Sequence, residues 1–327
     1  MENNRIIWID ILRGICMLAI LLDHTEIYYT GTNIISYNLY VVNSLVIFFF
    51  ISGYLFYKEN EEFCIKKKIK SIIRTILFPY FVFTTIIALP KELVHGNSID
   101  IGNIFLDIIL GKASWFIAAL VITELIFSFL LWITHNKKRY IIVFSIITFI
   151  SSIIINKYSI NYPWQLNNAL QAVLFLSAGY FYHRKEELFN NLNCLSSNII
   201  LIILFFAIKV YVYMENIHLY INPIDISNYF IFIIDITICT LLMINICKNI
   251  KSCKIIEWTG SHSLIYYFFC GGVPLLISII LNKLGFCYQN NYYKVIIAFI
   301  VVYIITSFIT WIIYHYFPYL TGRKIKE

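Results

Sequence analysis

The sequence predicts an all-α, polytopic membrane protein of about ten transmembrane helices with both termini in the cytoplasm. Three observations carry this. Hydrophobic residues make up 60% of the 327, and charged residues only 13%, about half the share found in soluble domains. The mean hydropathy is +0.77. Apolar runs close to the ~20 residues that cross a bilayer recur from one end of the chain to the other.

Taken in order, with soft boundaries, the runs lie at about 6–27, 34–57, 69–89, 115–134, 140–156, 164–182, 196–214, 226–247, 262–282 and 294–316. Residues 1–5 are short and polar, and the run after them lacks a small-residue cleavage site, so a cleavable signal peptide is not expected. The fifth run is the shortest. The segment Ile101–Leu110 is too short to span and reads as an interfacial helix. No polar stretch is long enough to fold apart, so residues 1–327 read as a single transmembrane domain.

Basic residues orient the chain. With the N-terminus inside, only Lys91, Lys112, Lys157, Lys283 and Lys294 of the 25 Lys and Arg fall in outer loops. Arg13 and Lys209 fall in spans, and the rest gather inside, as the positive-inside rule expects. The net charge of +7 is thereby explained by topology and anionic lipid, and no nucleic-acid partner is implied. Of the eight Cys, only Cys287 falls outside, where it has no disulfide partner. No spacing suggests a zinc site, and no metal is expected. No internal repeat is seen, so the inverted halves of many transporters are not evident.

Ionisable residues inside spans are expensive and point to function. The first span holds Asp10, Arg13 and His24. At 100° per residue, taking Asp10 as zero, Arg13 falls at about −60° and His24 at about −40°, roughly 20 Å along the axis. The three share a face, like the wall of a polar channel. His24 reads either as an interfacial, hydrogen-bonded His or as a general base that takes a proton from a hydroxyl. Asp23 and Glu26 point elsewhere on the wheel. Asp10 and Arg13, three apart, either pair with one another or leave Arg13 to face an anion from the cytoplasm.

Further segments follow. Phe48-Phe-Phe-Ile-Ser52-Gly53-Tyr54-Leu55 reads as close helix packing. The basic stretch Lys66–Lys70, then Arg74 and Phe78-Pro79-Tyr80, is either positive-inside anchoring or an entrance funnel for a polyanion such as a CoA nucleotide. Ser114-Trp115-Phe116 opens a span that buries Glu124, which is either functional or a bridge between helices. Ala169-Leu-Gln171 precedes Phe175-Leu-Ser-Ala178-Gly179-Tyr180. Gly260-Ser-His262-Ser263-Leu264-Ile-Tyr266-Tyr267 closes the series. Lys209 and Asp235, in the seventh and eighth spans, read as an interhelical ion pair. His95 and His218 fall in outer loops, and His262 at a helix start.

In this order the segments resemble the acyltransferase 3 family of integral-membrane O-acyltransferases. The matches are Asp10, Arg13, Gly14 and His24; Phe49, Phe50, Ser52, Gly53 and Tyr54; Arg74, Pro79 and Tyr80; Trp115 and Phe116; Phe175, Gly179 and Tyr180; and Gly260, Ser263, Leu264 and Tyr267. Many members carry a His three residues after that last Tyr; this chain has Cys270. The resemblance implies acyl transfer, usually of acetyl, from cytoplasmic acyl-CoA (acetyl-CoA) to a hydroxyl of a cell-surface carbohydrate or lipid-linked glycan. It places His24 and Asp10 in the catalytic set, with His24 deprotonating the acceptor. Arg13, Arg74 and Trp115 would serve the donor, and Ser52, Tyr54, Glu124 and Tyr267 would support substrate. It implies a multi-pass protein of a bacterial cell membrane, in contact with lipid, and is compatible with a homo-oligomer. The competing class is a transporter or flippase for a polar solute, which would show paired broken spans.

Overall fold

The computed structural model describes residues 5–59, 63–95, 100–158, 162–191 and 193–322. Helices make up 80% of it. In chain order they are α1 (Ile7–Thr30), α2 (Tyr37–Phe56), α3 (Ile65–Ile72), α4 (Phe78–His95), α5 (Ile101–Ile109), α6 (Trp115–Thr134), α7 (Lys138–Lys157), α8 (Leu166–Arg184), α9 (Glu186–Asn190), α10 (Leu195–Met214), α11 (Tyr229–Asn249), α12 (Lys254–Ser261), α13 (Ser263–Phe269), α14 (Gly272–Lys283) and α15 (Tyr292–Tyr316). A π-helical turn over Ile73–Leu77 joins α3 to α4.

Seven helices among the described residues are long and apolar enough to cross a membrane, and eight if the pair α13 and α14 counts as one span. That pair is bent by 50° at Cys270–Gly271, where the sequence breaks into Gly271-Gly272-Val-Pro274. Helices occupy each of the ten expected runs. α1 and α8 are not among the seven because they carry more polar side chains, Asp10, Arg13, Asp23 and Glu26 on α1 and Asn167, Asn168 and Gln171 on α8.

The all-α architecture carries one short extended insertion. A two-stranded antiparallel hairpin, β1 (Leu219–Ile221) and β2 (Ile224–Ile226), lies between α10 and α11. Asn38 holds it by its amide. Oδ1 accepts from the Leu219 N–H at 3.1 Å and Nδ2 donates to the Ile217 carbonyl at 3.1 Å. Two short extended segments pair here because a side-chain amide replaces backbone partners that a turn leaves open.

Burial is inverted relative to a soluble fold. On α10, Ile199, Ile203, Phe206, Val210 and Tyr213 are exposed, while Lys209 is buried. The exposed stripe recurs every three or four residues, as one helix face must, and in hydrocarbon the apolar face is the outer one. α5 shows the interfacial pattern expected of segment 101–110. Asp100 caps it, accepting from the Asn103 N–H at 3.2 Å, and Ile101, Phe105, Leu106 and Ile109 are all exposed.

The chain divides into two compact units. One comprises described residues within 1–48 and 187–311, the other those within 49–186 and 312–322. In the first, α1 packs against α11, α12, α13 and α14. In the second, α8 packs on α6 and α7, and α3 on α6, around a core of Phe56, Phe127, Leu130, Leu131, Ile141, Val173, Leu176 and Tyr180. The side chains of Lys91 and His95, and residues Arg323, Lys324 and Lys326, lie outside what is described.

Candidate functional site

In the first unit the site begins with a glycine crossing. A Cβ on Gly14 of α1 would overlap the Ile256 carbonyl of α12, and a Cβ on Gly260 of α12 would overlap the Asp10 carbonyl of α1. The opening motif and the Gly-x-x-Ser-Leu motif therefore meet backbone to backbone. Only glycine permits so close an approach.

Asp10 is buried, and its carboxylate pairs with Arg5, whose other arm reaches the Glu257 carbonyl at 3.3 Å. The sequence had offered Arg13 as the nearest partner. Arg5 competes because it lies just before α1 and reaches back along the first turn. Arg13 is partly buried one turn further on.

His24 lies at the other end of α1, partly buried. Its ring lies near-parallel to that of Tyr28, with centroids 6.2 Å apart. Tyr28, four residues on, shares its helix face. The Tyr28 hydroxyl in turn lies 4.0 Å from the position of a Cβ on Gly271, at the bend between α13 and α14. Next to it, the Cys270 thiol donates to the Tyr267 carbonyl at 3.0 Å. Tyr28 thus neighbours both His24 and the break that follows Tyr267. Asp23 and Glu26 turn to other partners, as the wheel requires. Asn33 Nδ2 donates to Asp23 at 3.0 Å, and the Ile35 N–H donates to Glu26 at 3.0 Å.

The Lys209–Asp235 ion pair forms at 2.7 Å with both side chains buried. Lys209 also donates to Asn43 Oδ1 at 2.6 Å and to the Asn38 carbonyl at 3.3 Å, and Asn43 Nδ2 donates to Asp235 at 2.8 Å. Each charge is met by polar groups, which makes this a bridge between helices.

The second unit builds a different cluster. Glu124 of α6 is buried and is not isolated. Ser52 of α2 donates to its Oε1, and the Lys68 ammonium lies 3.0 Å from its Oε2. Lys68 also sits 3.6 Å above the Phe56 ring centroid. One lysine of the basic run is singled out, and the helix wheel says why. On α3, Ile65, Ile69 and Ile72 form the apolar stripe, and Lys68 falls at its edge, about 60° from Ile65. Lys66, Lys67 and Lys70 fall outside that stripe and are exposed. That signal was present in the sequence, but its partner was not.

Tyr54 of α2 donates to the Glu186 carboxylate and stacks flat on His183, with centroids 3.9 Å apart and planes 2° apart. His183 Nδ1 lies 2.8 Å from the Tyr54 carbonyl. The segments carrying Ser52-Gly53-Tyr54 and Phe175–Tyr180 cross through reciprocal glycines, Gly53 against Leu176 and Gly179 against Phe50. Trp115 is partly buried at the first turn of α6, its ring edge-on to Phe116 with centroids 5.7 Å apart. Arg74, in the π turn, is exposed.

A cavity of about 490 Å³ opens in this unit. Lys58, Lys67, Lys68 and Arg184 contribute charge to its wall, and Tyr57, Phe63 and Tyr180 contribute rings. Lys58 and Arg184 were read from sequence only as topology markers. No group of acidic, His and Cys side chains able to hold a metal occurs among the described residues. All eight Cys are free.

Comparison with known proteins gives one match. A family described as "Acyltransferase domain" covers residues 6–315, nearly the whole chain. Neither the curated proteins nor the solved structures offer a match. Every motif described above, from Asp10 to Tyr267, falls within the matched stretch. The chain belongs to the acyltransferase 3 family and is a membrane acyltransferase.

Proposed function

We propose that this acyltransferase moves an acetyl group from cytoplasmic acetyl-CoA to a hydroxyl of a cell-surface carbohydrate or lipid-linked glycan. His24 is the general base. It takes the proton of the acceptor hydroxyl, either as that oxygen attacks the thioester carbonyl directly or as it attacks an acyl group relayed from the thioester. The C–S bond breaks, and the sulfur of CoA leaves with the proton returned by the imidazolium. A positioned base contributes about 10²–10⁴-fold; the rest comes from orientation and from donors to the developing oxyanion. Asp10 steadies the α1 crossing on which the base depends. Arg13, Arg74 and Trp115 serve the donor, and Ser52, Tyr54, Glu124 and Tyr267 shape the substrate path. The protein works as one domain with ten spans and both ends in the cytoplasm of a bacterial cell membrane, alone or as a homo-oligomer.

The observation that supports this best is the family match over residues 6–315, with His24 partly buried on α1 and its ring stacked on that of Tyr28. The transporter reading asks for two broken spans; the described residues hold one. The test is mass analysis of surface glycans from cells with the wild-type gene, with His24→Ala, and without the gene. An acetyl mass present only with the wild type supports the proposal. Acetylated glycan in cells whose only copy is a well-folded His24→Ala protein sinks it.

A further inference from the structure

We propose that the basic cavity of the second unit is a binding site for the phosphate-bearing nucleotide end of the donor. This rests on the acyl-CoA reading above and gives it a location and a set of residues. Four cations line the cavity, Lys58, Lys67, Lys68 and Arg184, and no Asp or Glu does among the described residues. Such one-signed lining concentrates anions. The four charges are not equal. Lys68 is engaged with Glu124 at 3.0 Å and Lys58 has interactions of its own, so attraction for a ligand rests mainly on Lys67 and Arg184. Arg184, partly buried at the last turn of α8, offers the planar fork that suits phosphate.

The shape agrees with the charge. A volume of about 490 Å³ falls within the ~300–1,000 Å³ of small-molecule sites. The rings of Tyr57 and Tyr180, packed edge to face with centroids 5.5 Å apart, border the cavity together with Phe63. Phosphates placed on cations and a flat base placed on aromatic rings are the two recognitions a nucleotide needs. A lipid headgroup would use the cations and leave the rings idle.

A native reporter already stands in the wall. Cys64 lines the cavity and is exposed. The full-length protein in nanodiscs is alkylated with N-ethylmaleimide, and modification of Cys64 is followed by peptide mass spectrometry. CoA and adenosine 3′,5′-bisphosphate are expected to slow alkylation of Cys64, and pantetheine, which lacks the phosphates, is not. Lys67→Gln with Arg184→Gln is expected to weaken that protection by about ten-fold or more, because a hydrogen bond to a charged group carries at least one factor of ten. Lys67→Arg with Arg184→Lys, which keeps the charge, should protect better than the neutral pair. Protection by phosphatidylglycerol vesicles but not by CoA would replace the nucleotide with a lipid headgroup and overturn the proposal. Acyl transfer that proceeds while CoA leaves Cys64 alkylation unchanged would remove the site and leave the enzyme reading standing. CoA protection in a protein that acylates nothing would keep the site and remove that reading.

Discussion

Gly53 of α2 and Gly179 of α8 press two helix backbones together, each glycine facing the other helix: Gly53 against the Leu176 carbonyl, Gly179 against that of Phe50. Gly14 and Gly260 do the same for α1 and α12. Motifs that lie far apart in the chain are therefore halves of two crossings. In a bilayer, where lipid removes most of the hydrophobic drive for helix association, such close approach is a main source of packing energy.

Gly53→Ala and Gly179→Ala should each destabilise the protein. The added methyl meets backbone, which cannot rotate away, so the cost should reach at least the ~1–3 kcal/mol of an overpacked core. Gly272→Ala, which meets nothing within 4 Å, is the control. Thermal melting in detergent, read by fluorescence-detected size exclusion, compares the three. Equal melting of all three would show that the crossing is loose.

Lys209→Met should be strongly destabilising. It leaves Asp235, 0% exposed, with a buried charge whose cation is gone, a loss of about 3–5 kcal/mol. Lys209→Met combined with Asp235→Leu should recover most of it, since no unpaired charge remains. The double variant melting as low as the single one would assign the stability to the Asn38–Asn43 network instead.

His24→Ala should lower acyl transfer by about 10²–10⁴-fold, the range of a lost general base, with unchanged insertion and melting. A large loss of folded protein would instead place His24, with Tyr28, in the packing of α1. Turnover in nanodiscs alongside the melting curve separates these outcomes.

The native cysteines test orientation. In intact cells a membrane-impermeant maleimide should reach Cys287 and should label Cys64 and Cys194 only after permeabilisation. Hydrogen bonding to Ser197 and neighbouring backbone N–H groups lowers the Cys194 pKa from its ordinary 9.0. Thiolate is the reactive form, so a lowered pKa brings reactivity in at lower pH. In permeabilised cells, Cys194 alkylation should rise and level off at lower pH than that of free cysteine. Labelling of Cys194 before permeabilisation would invert the topology.

The sequence alone determined the class, because hydrocarbon demands long apolar helices and cytoplasmic charge, and both are written in composition and spacing. It also marked Lys209 and Asp235 as partners, since two opposite charges in a bilayer leave each other few alternatives. Tertiary structure decided which groups meet. Arg5 pairs with Asp10, Lys68 and Ser52 converge on Glu124, and Lys58 and Arg184 share one cavity wall. Those pairings depend on which helices lie side by side. A helical period reports a residue's own face and is silent about the helix opposite.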